Sequence, residues 1–238
     1  MRQIKASSSY LKNQTRKNLV KAALCVVIFC LVLFLIMYRA IWTLQIDLLT
    51  EIAIGSLLVP AVAFYYYLRK YHLFSGGWEG EKQVAKLLSN SLNDDYYIIN
   101  DLYLRAGGGD IDHVVLAPNG VYVLETKNWS GNISCNGDEW RRAGKRNFNS
   151  SPSRQVKRNA AKIQRIIDAS PDLKSLGIWI DGIVVITNRH ATLHLSSPTV
   201  PILKPAQLPT YITTHGSPRK FTRAQLEVIG KEIAKQKA

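Results

Sequence analysis

Two runs of seventeen residues without a charge, Ala22–Tyr38 and Ile52–Leu68, constrain this 238-residue chain more than anything else in it. A helix of about 17–25 mostly apolar residues crosses the roughly 30 Å hydrocarbon core of a bilayer. Two such runs predict a pair of membrane-spanning helices. Pro60 falls inside the second; proline is tolerated in spanning helices, and Tyr65, Tyr66 and Tyr67 suit an interfacial aromatic belt. Two blander readings compete. A cleaved signal peptide has a shorter apolar stretch, about 7–15 residues, and a small-residue cleavage site, which Met37-Tyr38-Arg39 does not offer. A buried soluble hairpin is the other.

The flanks set an orientation. Arg2, Lys5, Lys12, Arg16, Lys17 and Lys21 precede the first run, and Arg69 and Lys70 follow the second. The connection has one base, Arg39, beside Asp47 and Glu51. The positive-inside bias then predicts a multi-pass protein of the plasma (inner) membrane with both termini cytoplasmic. The basic tail could also meet anionic headgroups of the bilayer. Residues 1–71 are thus expected to be tail and anchor, and 72–238 a separate domain.

The net charge of +14 excludes an acidic solvating chain, and a hydrophobic content of 47% excludes wholesale disorder. Cys25 and Cys30 lie in the first apolar run and Cys135 stands alone. No disulfide framework or zinc ribbon follows from that pattern, which suits a reducing compartment.

Downstream, Ser75-Gly76-Gly77 suggests a hinge-like break. Glu79–Leu92 carries Val84, Leu87 and Leu88 at helical spacing, and Tyr96–Leu104 is rich in strand formers. Ile111–Ala117 and Val121–Thr126 predict two strands joined at Pro118-Asn119-Gly120. Ser153–Ala169 predicts a helix, Asp181–Thr187 a buried strand, and Val200–Leu203 a short one. Thr222–Gln225 opens a capping box for a last helix reaching about Lys235.

Chemistry concentrates at Asp112, Glu125 and Lys127. Glu125 and Lys127 are two apart on a strand and share a face. A two-residue hairpin loop puts Asp112 on that face too; a three-residue bulged loop turns it away, and Pro118-Asn119-Gly120 allows either. Two carboxylates beside an ammonium suit Mg²⁺, which takes one or two carboxylates and keeps waters for a phosphate. A surface salt-bridged hairpin is the bland reading. His113 points to the opposite face by alternation. His72, His190, His194 and His215 form no metal-like grouping, and Gly107–Gly109 lacks the ending of a phosphate-binding loop. Trp129 and Trp140 fit packing better than base stacking.

The motifs Gly77-Trp78-Glu79-Gly80-Glu81, Ile111-Asp112-His113-Val114-Val115 and Gly120 through Gly131, with Trp140 and Gln155, occur in order. Together they resemble the nuclease-related domain family, a branch of the PD-(D/E)xK restriction-endonuclease-like superfamily. The resemblance covers about residues 76–187, leaving 188–238 as a C-terminal extension. It implies an α/β fold with an αβββαβ core around a mixed sheet, here preceded by a transmembrane hairpin, and a Mg²⁺-dependent nuclease site in which Mn²⁺ can substitute. Carried over, Asp112 and Glu125 resemble the metal ligands and Lys127 the lysine that positions or activates water. Glu81 resembles the acid of the first helix, and Gln155 the glutamine opening the second core helix.

From Arg141 to Arg165 there are nine bases and no acid. Arg141, Arg142, Lys145, Arg146, Arg154, Lys157, Arg158 and Lys162 are expected to meet phosphates of nucleic acid, DNA ahead of RNA. A solvated charged face is the plain alternative. For the whole chain, the expected function is a membrane-anchored nuclease acting on the cytoplasmic side. A nucleic-acid-binding module with little cleavage and a membrane scaffold for protein partners are the competing classes.

Overall fold

The computed structural model describes residues 1–4, 10–43, 48–104, 110–143 and 151–236. The chain divides into two compact units, Ser9–Trp78, and Met1–Ser8 together with Glu79–Ala238.

The first unit is helical: α1 (Tyr10–Thr43), α2 (Leu48–Ser56) and the beginning of α3 (Leu58–Ser91). Two helical stretches, Tyr10–Trp42 and Leu48–Ser91, are long and apolar enough to cross a membrane, and only 11% and 6% of their most apolar windows are buried. They are therefore not the covered core helices of a soluble fold. Val27, Phe34, Ile41 and Trp42 on α1, with Leu58 and Val59 on α3, are all more than half exposed. Pro60 sits at the third position of α3, within the first turn, where its missing N–H costs little. The helix is interrupted just before it, at Leu57. Lys21 lies over the Tyr67 ring at 5.3 Å.

The expected break at Ser75-Gly76-Gly77 does not occur, because α3 runs through it. Two helical glycines cost about 1 kcal/mol each relative to alanine, too little to end a helix with several turns on either side.

In the second unit, a six-stranded mixed sheet has the order β1 (Arg2–Ile4), β2 (Tyr97–Tyr103), β3 (Asp110–Ala117), β4 (Gly120–Lys127), β7 (Ile180–Ile186) and β9 (Ile202–Leu203). Arg2–Ile4, assigned to the basic tail from its charge, is instead a strand parallel to β2. β2, β3 and β4 are antiparallel neighbours, and β4 and β7 are parallel. Between these last two, the chain passes through α4 (Pro152–Asp168) and α5 (Pro171–Ser175). A second sheet, unforeseen in the sequence, pairs β6 (Glu139–Arg142), β5 (Gly131–Asn136) and β8 (Ala191–Ser196). The chain closes with α6 (Leu208–Thr214) and α7 (Arg223–Lys235), the latter carrying the expected capping box.

Alternation sorts the central strands into two cores. Val114, Leu116, Val121 and Val123 face α4 and α7 through Val156, Ile163, Leu226 and Ile229. Val115, Tyr122 and Leu124 face α3 and α6 through Val84, Leu88, Leu208 and Ile212. The sheet is thus covered on both faces, and polar side chains can gather only at its ends.

Candidate active site

The register of the β3–β4 hairpin decides the site. Ala117 pairs with Gly120, leaving Pro118 and Asn119 as a two-residue turn, and His113 pairs with Leu124. One step further along, Asp112 stands opposite Glu125. Its Oδ2 accepts the Thr126 backbone N–H at 2.6 Å. Glu125 is 1% exposed, and its Oε1 accepts from Lys127 Nζ at 2.5 Å. The same ammonium reaches Gln155 Oε1 at 3.4 Å, a long and weak contact.

Gln155 is held by the second sheet. Ser151 caps α4 by accepting the Arg154 N–H at 3.2 Å, and its hydroxyl donates to Asp138 O at 2.7 Å. Trp140 is buried, stacks edge-on against Trp129, and donates to Ser153 Oγ at 2.9 Å. Both tryptophans are packing residues. They fix the first turn of α4 and so the place of Gln155.

Glu81 enters from α3, one residue after a close approach. A Cβ on Gly80 would meet Thr187 Oγ1 at 2.7 Å and Asn128 Cβ at 3.3 Å. Only glycine lets the helix lie this near the ends of β4 and β7.

Two further acids join the cluster that sequence reading did not single out. Asp101 takes a positive φ of 51° in the middle of β2, and its carboxylate accepts a hydrogen bond from Glu81. Asp110 lies two residues before Asp112, on the same strand face, and its charge acts on both Glu81 and Asp101. That i, i+2 spacing was available in the sequence. No local signal marks Asp101.

Crowding pushes the acids in one direction. Burial, then Asp101, raises Glu81 to about 8. Burial, then the charges of Glu125 and Glu81, raises Asp112 well above the usual carboxylate range. Burial raises Glu125 as well, against the opposing pull of Lys127. Burial alone would lower Lys127, but Glu125 and Asp112 outweigh it and the ammonium is favoured. His113 points away, bonds Asn100 Oδ1 at 2.8 Å, and is lowered to about 4 by burial.

Among the described residues, no three acidic, histidine or cysteine side chains form a group able to hold a metal ion by themselves. Mg²⁺ does not require one, since it retains waters and takes one or two carboxylates. The donor set fits it: Glu125 Oε2 is buried without a partner, and one ammonium faces several carboxylates. Among the described residues the carboxyls outnumber the cations that act on them, Lys127 at contact and Arg158 through its charge on Glu125.

This imbalance has a measurable consequence. A carboxyl raised in the fold contributes stability below its unfolded value near 4.5, and that contribution is lost as pH rises through its folded value. For Glu81 the window is about 4.5 to 8, worth a few kcal/mol at roughly 1.4 kcal/mol per pH unit. Glu81→Gln in the detergent-solubilised protein should therefore raise Tm at pH 8.5 and leave it unchanged at pH 4. The increment in Tm on adding Mg²⁺ to the wild type should grow from pH 6 to pH 8.5, because the cation displaces the protons. Thermal melts at three pH values check both.

The basic run is less uniform than its sequence suggests. Lys157 pairs with Asp138 at 2.7 Å and Arg154 approaches the same carboxylate at 3.9 Å. Arg141 lies 3.6 Å from Glu139, and Arg142 donates to Ser130 Oγ at 2.7 Å. Arg158 and Lys162 are carried by α4. Lys145 and Arg146 lie outside the described residues, as do Gly107–Gly109.

Residues 76–187 match the nuclease-related domain family, just under half of the chain. An uncharacterized protein of Bacillus anthracis is 41% identical over 58 residues, 23% of this chain. The match covers 27% of that relative's length. No solved structure matches the chain. With Glu81, Asp112, Glu125, Lys127 and Gln155 all inside the matched region, the chain carries a nuclease-related domain over residues 76–187.

Proposed function

We propose that this domain is a Mg²⁺-dependent nuclease of the PD-(D/E)xK type, with a restriction-endonuclease-like αβββαβ core, that hydrolyses phosphodiester bonds. DNA is the favoured substrate over RNA. The two apolar helical segments anchor it in the plasma membrane with the domain in the cytoplasm. The observation that carries the reading is the Lys127 ammonium, held by Glu125 and within 3.4 Å of Gln155, beside a buried carboxylate oxygen without a partner.

Asp112 and Glu125 would hold the cation, with Mn²⁺ able to replace Mg²⁺; the Thr126 N–H fixes the Asp112 carboxylate, leaving its other oxygen for the ion. When bound, the metal supplies Lewis-acid polarisation of a phosphoryl oxygen and a more nucleophilic water. Lys127 is charged at neutral pH, so it serves as a donor to the developing negative charge on phosphorus oxygens. Gln155 offers the ammonium a second, weaker acceptor. Glu81 donates to Asp101, and would become an acceptor if a bound cation lowered its proton affinity.

The test is direct. Full-length protein in detergent, given labelled DNA and RNA, should cleave in Mg²⁺ and stop in EDTA. Binding without cleavage under all conditions would favour the binding module instead.

A further inference from the structure

The described bases between Arg141 and Arg165 do not share one surface, and their division suggests a path for substrate. Gln155, Arg158, Lys162 and Arg165 recur at steps of three and four along α4, so they line one face of it. That face begins at the site. Gln155 touches Lys127, and the charge of Arg158 acts on Glu125. It ends at a hollow of about 440 Å³ between α4 and α7, where Lys162 and Arg165 meet an apolar floor of Leu104, Ile166 and Ala169. Glu232 also lines the hollow, but its carboxylate is engaged by Lys235 at 2.8 Å. The wall therefore keeps a positive balance.

Arg154 and Lys157 serve differently. Both are drawn to Asp138, whose other oxygen accepts from Thr199. They clasp α4 to the turn between β5 and β6.

We infer that one strand of nucleic acid runs along the Arg158–Lys162–Arg165 face of α4 and seats an unpaired nucleotide in the hollow beside α7. The inference rests on the nuclease reading for the direction of the path, since it starts the strand at Lys127. At 1.5 Å per helical residue, Gln155 and Arg165 are about 15 Å apart. A stacked strand rises about 3.4 Å along its axis per nucleotide, so the face spans roughly four nucleotides. The hollow has the mixed character a nucleotide needs: cations for its phosphate and apolar side chains beneath its base.

Full-length protein in detergent and EDTA, titrated with a fluorescent single strand at several salt concentrations, tests this. Each lost phosphate contact to a single strand lowers the logarithmic salt slope by about 0.7. Arg158→Gln/Arg165→Gln should lower it by about 1.4, and Arg158→Lys/Arg165→Lys should restore it. Arg154→Gln/Lys157→Gln should lower Tm and keep the slope. Ala169→Trp, filling the hollow, should weaken binding several-fold at unchanged slope. An unchanged slope in Arg158→Gln/Arg165→Gln, or an equal fall in Arg154→Gln/Lys157→Gln, overturns the path. Wild type that binds with the expected variant pattern but never cleaves in Mg²⁺ defeats the nuclease reading and leaves the path standing. Wild type that cleaves while all variants bind alike does the reverse. Absence of binding by wild type defeats the path.

Discussion

Lys127→Ala is expected to slow single-turnover cleavage by about 10²–10³, the effect of removing one charged donor worth about 2.7–4 kcal/mol in a transition state. Mg²⁺ binding should persist, because the ammonium is not a metal ligand. Folding should persist too: Lys127 sits at the end of β4, and its removal frees Glu125 Oε1 rather than opening the core. With that partner gone, Glu125 keeps its burial and loses the charge that opposed it, so its pKa should rise further. The optimum for residual activity should then move to higher pH. Calorimetric Mg²⁺ titration and a rate–pH profile separate this from simple unfolding. Full activity in the variant would end the proposed mechanism.

Asp112→Asn should be more damaging to activity and gentler to the fold. The amide oxygen can still accept the Thr126 N–H now bonded to Asp112 Oδ2 at 2.6 Å. What disappears is a carboxyl whose ionisation burial, Glu125 and Glu81 all oppose, and which therefore weakens the fold as pH rises. The metal-free variant should therefore melt higher than wild type at neutral pH, yet gain nothing from Mg²⁺. Its cleavage should fall at least as far as that of Lys127→Ala. Combining the two changes should cost little more than Asp112→Asn alone, since residues acting as one unit are far from additive. A metal-responsive Tm in Asp112→Asn would remove this residue from the ligand set.

The central strands were legible because burial on both faces leaves long apolar runs bounded by turn residues. Ile111–Ala117 and Val121–Thr126 lie within β3 and β4 for that reason. The Asp112, Glu125 and Lys127 constellation could be named from sequence, but its convergence could not. It depends on whether the Pro118-Asn119 turn holds two residues or three. The second sheet escaped notice because its strands are short and polar: Gly131–Asn136 buries only Ile133 and Cys135. Gly76-Gly77 suggests a break from local propensity alone, whose cost of about 1 kcal/mol per glycine is too small to end a helix as long as α3. The ion pairs of Asp138 with Arg154 and Lys157 join residues 16 and 19 positions apart, so a base count along the chain overstated the free charge.

The turn that sets this register is itself fastened by residues beyond position 187. Asn119 donates to Ile212 O at 2.8 Å, and Tyr122 donates to the same carbonyl at 3.1 Å. Ser217 N bonds Asn119 O at 2.9 Å, and Phe221 N bonds Pro118 O at 2.7 Å. Gly230 of α7 packs against Leu116 in the strand leading to the turn. A fragment cut where the family resemblance stops would keep every acid and lysine of the cluster and lose each of these fastenings. Residues 188–238 are, in that sense, the template against which the hairpin is measured, and the register of the matched motif is secured from outside it.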